Sequence, residues 1–161
     1  EPAADTFQAA LAYNSQQPAA WFGLAQSYRQ AGRIDDEIWA WQQAISLDPS
    51  MAAAFQNLGN AYMLQQRTEE AVDAYRRGVV QDPANTGLRY NLAAALAKMD
   101  LHKQAVTEFL EVIRRDPSDA RSYNGAAISY YYLQDYQAAK LYAEKAAQLG
   151  FNVQKQLLEL K

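Results

Sequence analysis

The chain has 161 residues, half of them hydrophobic and 20% charged, a composition that excludes a disordered segment and provides enough apolar surface for a folded core. Fifteen basic against 18 acidic residues give a net charge of -3, with no overall attraction for phosphate backbones or anionic lipid, so neither nucleic acid nor direct membrane insertion is expected. Without cysteine there is no disulfide framework, thiolate zinc site or cysteine nucleophile. Only 7 Gly and 5 Pro interrupt a chain rich in Ala, Leu, Gln and Glu, so helix is predicted nearly everywhere.

Three Asp-Pro dipeptides reveal a period, because Pro49, Pro83 and Pro117 lie 34 residues apart. At this spacing Trp21, Phe55 and Tyr123 align, as do Leu24, Leu58 and Leu92, and Tyr28, Tyr62, Leu96 and Tyr130. Further along each unit Ala71, Ala105 and Ala139 form a small-residue position, and Trp41, Tyr75 and Phe109 an aromatic one. The first half of a unit places apolar residues at i, i+3 and i+7, as in Trp21, Leu24 and Tyr28. The second half has a small residue, an aromatic four later and a small one three after that, as in Ala71, Tyr75 and Gly78. Both patterns describe amphipathic helices. One such hairpin cannot bury its own apolar face, so neighbours must stack to complete the core.

The clearest copy, Phe55-x2-Leu58-Gly59-x2-Tyr62 followed by Ala71-x3-Tyr75, Gly78 and Pro83, resembles the tetratricopeptide repeat. The resemblance implies an all-α fold, a right-handed α-solenoid of stacked antiparallel helix pairs. In chain order, residues 1–17 read as the second helix of a truncated preceding repeat, since Ala3, Phe7 and Ala10 stand one period before Glu37, Trp41 and Ala44. Four units follow at 18–51, 52–85, 86–119 and 120–150. The first departs from the pattern with Ala25 for the glycine and Glu37 for the first small residue. The third has Arg89 at the aromatic position; the fourth has Ala143 for the second-helix aromatic and Phe151 where proline falls. Gly150 suits a helix C′ position, and residues 151–161 are expected to form a C-terminal capping helix whose Leu157, Leu158 and Leu160 cover the end of the stack. The chain starts at Glu1 without a signal-peptide pattern, so it is read as a fragment of a soluble protein, with a cytoplasmic location the default expectation.

Catalysis needs a nucleophile, a base and a stabiliser in one pocket, and the chain offers a single histidine, His102, at the start of a second helix. A packing or solvated role is expected for it. Asp35-Asp36-Glu37 is read as a solvated turn favouring the helix dipole rather than a metal or acid/base cluster, and Glu69-Glu70 likewise. No glycine-rich phosphate-binding string occurs. No enzyme, metal or cofactor is therefore expected. The basic pairs Arg76-Arg77 and Arg114-Arg115 are interleaved with acids, as on a solvated outer surface.

The family resemblance implies that first helices line a concave groove. The residues expected to meet a partner there are Phe22, Gln26 and Arg29; Gln56, Asn57, Asn60 and Met63; Tyr90, Asn91 and Lys98; and Arg121, Asn124, Ile128 and Tyr131. Asn57 and Asn91 stand one period apart and resemble an asparagine ladder that clamps the backbone of an extended peptide; the alternative is that both are simply polar residues of a solvated groove. A carboxylate clamp for an acidic C-terminus is half missing. Asn60, Asn91 and Arg121 fit it, but Gln56 and Gly125 replace two of its cations. The expected partner is another protein, contributing an extended segment or a helix. Self-association, or service as the substrate-positioning part of a larger enzyme, are the alternatives.

Overall fold

The structure is a computed structural model describing residues 2–160, with side chains from Ala4 onward. Glu1 and Lys161, the outer residues of the two expected terminal segments, and the side chain of Ala3 lie outside the described residues. Among the described residues ten helices follow in order: α1 Pro2–Tyr13, α2 Pro18–Gln30, α3 Ile34–Leu47, α4 Ala52–Leu64, α5 Thr68–Gln81, α6 Thr86–Lys98, α7 His102–Arg115, α8 Ala120–Tyr132, α9 Tyr136–Gln148 and α10 Lys155–Leu158. The helices α2, α4, α6 and α8 begin 34 residues apart, as do α3, α5, α7 and α9. Two compact units result, one ending at Pro83 and the other beginning at Ala84.

Within the first unit each helix packs on its neighbour in sequence, and Leu24, Tyr28, Trp41, Phe55, Leu58, Tyr62 and Tyr75 are all buried. The second unit buries Leu88, Leu92, Leu96, Phe109 and Val112 in the same way. Close packing depends on missing side chains. A Cβ on Gly59 would stand 2.4 Å from the Tyr75 ring, and one on Gly125 would stand 2.4 Å from the Phe109 ring. Arg89, at the aromatic position, instead bonds Glu108 of α7 at 2.5 Å, so an ion pair replaces a ring contact.

The turns inside the helix pairs repeat even where their residues do not. Gly32, Gln66, Asp100 and Gln134, one period apart, all have left-handed backbone, with φ between 59° and 71°. Only the first is glycine, so the other three hold a conformation costing roughly 1–2 kcal/mol each, over-determined by the helices on both sides. In the first unit the residue after the turn is arginine: Arg33 lies over Tyr28 and Arg67 over Tyr62, each 4.5 Å from the ring centroid. Arg33 also pairs with Asp36, and Arg67 with Glu70. The Asp-Pro dipeptides end the second helices. Proline forces its predecessor into extended backbone, and Asp48, Asp82 and Asp116 have φ of -136°, -132° and -130°. Asp48 and Asp116 accept from the backbone and hydroxyl of Ser50 and Ser118, and those bonds lower both carboxyl pKa values.

The C-terminal segment corrects an expectation. Residues 151–154 are not helical, and α10 spans only Lys155–Leu158. A single turn cannot sustain itself by backbone bonding, so side-chain packing holds it. Leu157 is buried with Ala127 and Ala143, and Val153, Leu158 and Leu160 pack around them. Ala143 leaves open the space that an aromatic fills in earlier repeats, and Leu157 enters from the end of the chain. Gly150, with φ of +86°, follows the C-cap Leu149 as the sequence predicts.

Candidate partner-binding surface

In the first unit the predicted residues of α2 and α4 are joined by Arg29, which bonds Asn57 directly and lies beside a buried carboxylate. Glu37 occupies the position that is alanine at 71, 105 and 139, and it is 1% exposed. The solvated turn expected at 35–37 is therefore correct for exposed Asp35 and for Asp36, paired with Arg33, but not for Glu37. Helical periodicity explains this, since Glu37 lies one turn before Trp41 on the core face of α3. Trp41 Nε1 donates to Glu37 Oε1 at 3.0 Å, and Glu37 Oε2 has no partner. Arg29 Nε lies 4.0 Å from the same Oε1, and Arg29 Nη1 donates to Asn57 Oδ1 at 2.8 Å. Phe22 meets the Trp41 ring edge-on, with centroids 4.7 Å apart. On the next turn of α4 the Asn60 Oδ1 accepts from Tyr75 Oη at 2.7 Å. Gln56 and Met63 are half-buried and Gln26 is exposed.

Burial raises the Glu37 pKa, against the opposing effects of the Trp41 hydrogen bond and the Arg29 charge. The folded state therefore binds this proton more tightly than the unfolded chain does. Stability contributed by protonated Glu37 is complete below the unfolded carboxyl pKa and is lost as pH rises through the folded one. Glu37→Gln keeps an oxygen for Trp41 and removes the charge, and it is expected to raise stability by about 1 kcal/mol at neutral pH. The gain should shrink in urea titrations performed at acidic pH; a variant less stable than the parent at neutral pH would contradict it.

In the second unit Tyr90 lies beneath the Arg121 guanidinium, 4.7 Å from ring centroid to Cζ, with its edge towards Phe109. Arg121 Nε also bonds Asp119 Oδ1 at 3.0 Å. Asn91 and Asn124 are half-buried, and Lys98 is exposed. Ile128 and Tyr131 are placed differently from the expectation of an open groove. Both pack against the Leu157 cluster, and Tyr131 Oη accepts from Gln156 Nε2 at 2.7 Å. The segment after α9 packs there because it lays Leu157 and its neighbours against the apolar flank of α8. His102 is buried and stacked on Tyr132, with ring centroids 4.5 Å apart and planes 2° apart, which is a packing role.

Sequence reasoning missed Glu37, Trp41 and Tyr75 as supports of the predicted surface. The available signal was the departure of Glu37 from a small-residue position. Among the described residues no group of three metal-ligating side chains gathers, and no helix is long and apolar enough to cross a membrane.

Three family models match the chain: a tetratricopeptide repeat over residues 2–51, a TPR repeat over 59–100 and a further tetratricopeptide repeat over 86–119. No curated protein matches the sequence significantly. Among solved structures, a crystal structure of MamA has a TM-score of 0.86 at 21% identity, covering 91% of this chain and 86% of that one. MamA 41-end from Desulfovibrio magneticus RS-1 has a TM-score of 0.77 at 17% identity, covering 82% of this chain and 75% of that one. At such identities the likeness concerns the fold. The 34-residue helix period, the packing of rings on small residues and the three matching models together place this chain in the tetratricopeptide repeat family.

Proposed function

We propose that this chain is a noncatalytic protein-interaction scaffold whose first helices receive an extended segment or helix of a partner protein. Membership of the family supports an interaction scaffold in general. The observation favouring the first helices is the surface of α2 and α4. There Arg29, Asn57 and Asn60 are held by defined bonds while their side chains stay partly exposed, so hydrogen-bonding groups are organised before a partner arrives. Tyr90 and Arg121 provide a corresponding stacked pair in the second unit.

The test is a pull-down from the source organism comparing the parent with an Asn57→Ala/Asn91→Ala/Tyr90→Ala variant. Proteins held by the parent are expected to be lost from the variant, while helicity and melting temperature stay nearly unchanged. Equal retention by both would move binding to another face. A second copy of the chain is a further reading, favoured by Tyr13, 93% exposed at the end of α1, and by half-exposed Trp39. Self-association should make the apparent mass by light scattering rise with concentration, and a constant monomer mass would exclude it.

A further inference from the structure

We propose that the groove between α3 and α5 docks a lysine side chain of a partner protein. The aliphatic stem lies on an apolar floor, and the ammonium meets Glu69 and Asp73. The groove is formed between second helices, so it stands apart from the first-helix surface and does not rest on that reading.

The floor comes from the repeat itself. Ile45 of α3 and Leu58 and Tyr62 of α4 are buried at the base of a cavity of about 590 Å³, a size usual for ligand clefts. Gln42 Nε2 donates to Tyr62 Oη at 2.9 Å, so the hydroxyl is satisfied and the base presents hydrocarbon. The groove recurs one period earlier, where Gln8, Leu11, Leu24 and Tyr28 take the same places around a cavity of about 450 Å³. Gln8 Nε2 likewise donates to Tyr28 Oη, at 3.0 Å. The rims differ. In the earlier groove Trp39 meets the Trp21 ring edge-on, with centroids 4.8 Å apart, and one period later Asp73 takes the place of Trp39. The floor is thus what stacking supplies, and the acidic rim is particular to the second copy.

Charge complementarity selects the occupant. Glu69, Glu70 and Asp73 line the groove against one arginine, Arg77. Glu70 is taken by Arg67, whose Nε donates to its Oε2 at 2.7 Å. Arg77 Nη1 stays 3.8 Å from Asp73 Oδ2, beyond hydrogen-bond reach, while its guanidinium rests 4.7 Å from the Phe55 ring centroid. Glu69 has neither a hydrogen bond nor an ion pair among the described residues. With Arg67 and Arg77 both counted, one negative charge is still left over, which calls for one cation. Glu69 and Asp73 stand one turn apart on the same face of α5, so a single ammonium can meet both. The helix dipole accounts for an acid at Glu69, in the first turn, but not for Asp73.

Lysine suits the groove better than arginine. A guanidinium gains by stacking, but Arg67 already lies over Tyr62 and Arg77 over Phe55. An ammonium on a four-carbon stem needs hydrocarbon along the stem and carboxylates at the head, and the floor and rim supply those two things.

The test follows the Ile45 and Leu58 methyl groups by NMR during titration, at low salt, with end-blocked pentapeptides of Ala and Leu carrying a central lysine, norleucine or arginine. The lysine peptide is expected to shift both residues saturably. Norleucine keeps the stem and loses the ammonium, so its peptide should bind about fivefold more weakly, and Glu69→Gln should weaken the lysine peptide about threefold. Glu69 is exposed, so this variant should fold. Arg77→Gln removes the competing cation and should tighten binding instead. Arg114→Gln makes the same change of charge in the second unit and should leave binding unchanged, which separates the groove from net charge. No saturable shift at Ile45 and Leu58, equal binding of norleucine, or full binding by Glu69→Gln would each overturn the site. Tighter binding of arginine than of lysine would overturn the choice of side chain, and an equal gain from Arg114→Gln would reduce the effect to net charge.

Discussion

Tyr75→Ala is expected to destabilise the first unit by about 3 kcal/mol or more. The ring is 2% exposed and fills the space that Gly59 leaves on α4, and its hydroxyl donates to Asn60 Oδ1. Truncation removes both the transfer energy of a buried ring and the hydrogen bond, and it opens a cavity between α4 and α5. The rigid helix pair cannot close that cavity by collapsing. Burial also pushes the Tyr75 hydroxyl pKa well above its ordinary value, as suits a group that stays neutral and donates. Tyr75→Phe retains the ring and should cost only about 1 kcal/mol, the loss of the bond. Chemical denaturation of the two variants separates the terms. A Tyr75→Ala loss below about 1 kcal/mol would mean that the residue is not at the core position its spacing assigns.

Gly125→Ala should also destabilise, by about 2 kcal/mol, although alanine is the better helix former. The new Cβ would lie 2.4 Å from Phe109 Cζ, with two further ring atoms within 2.8 Å, so α7 and α8 must part or the ring must leave its rotamer. Intrinsic propensity favours the substitution by up to about 1 kcal/mol, and the clash outweighs it. Combining it with Phe109→Leu, which removes the far end of the ring, should restore part of the loss. The double variant would then be more stable than the sum of single effects predicts. A simple gain of stability in Gly125→Ala would show that the ring gives way at no cost and that the glycine is not needed for this approach.

The repeat was legible because it is written in residue types that only one kind of packing requires. Leu24, Leu58 and Leu92, or Tyr28 and Tyr62, recur at one spacing because equivalent helices meet equivalent neighbours, and their burial follows. The left-handed turns were legible only at Gly32. Gln66 and Gln134 have the same backbone because the flanking helices impose it, with no local preference to announce it, and Asp100 is of a type that only moderately favours that region. The predicted surface was read by position alone, which placed Arg29, Asn57 and Tyr90 among the candidates. It gave no warning that Ile128 and Tyr131 are covered, because the covering residues, Gln156 and Leu157, come from a segment outside the period.

The sequence by itself determined the helical class, the 34-residue period, the helix starts that follow it and the small-against-aromatic positions that let the helices approach. These are consequences of spacing along one chain, and spacing is what a sequence records. Only the tertiary structure decided that Glu37 turns inward to Trp41, that Arg29 reaches across to Asn57, and that Leu157 fills the space left by Ala143. The last two join residues that no shared period relates, while Glu37, placed on the core face by helical spacing, turns to Trp41 under the rule that buried polar groups seek partners.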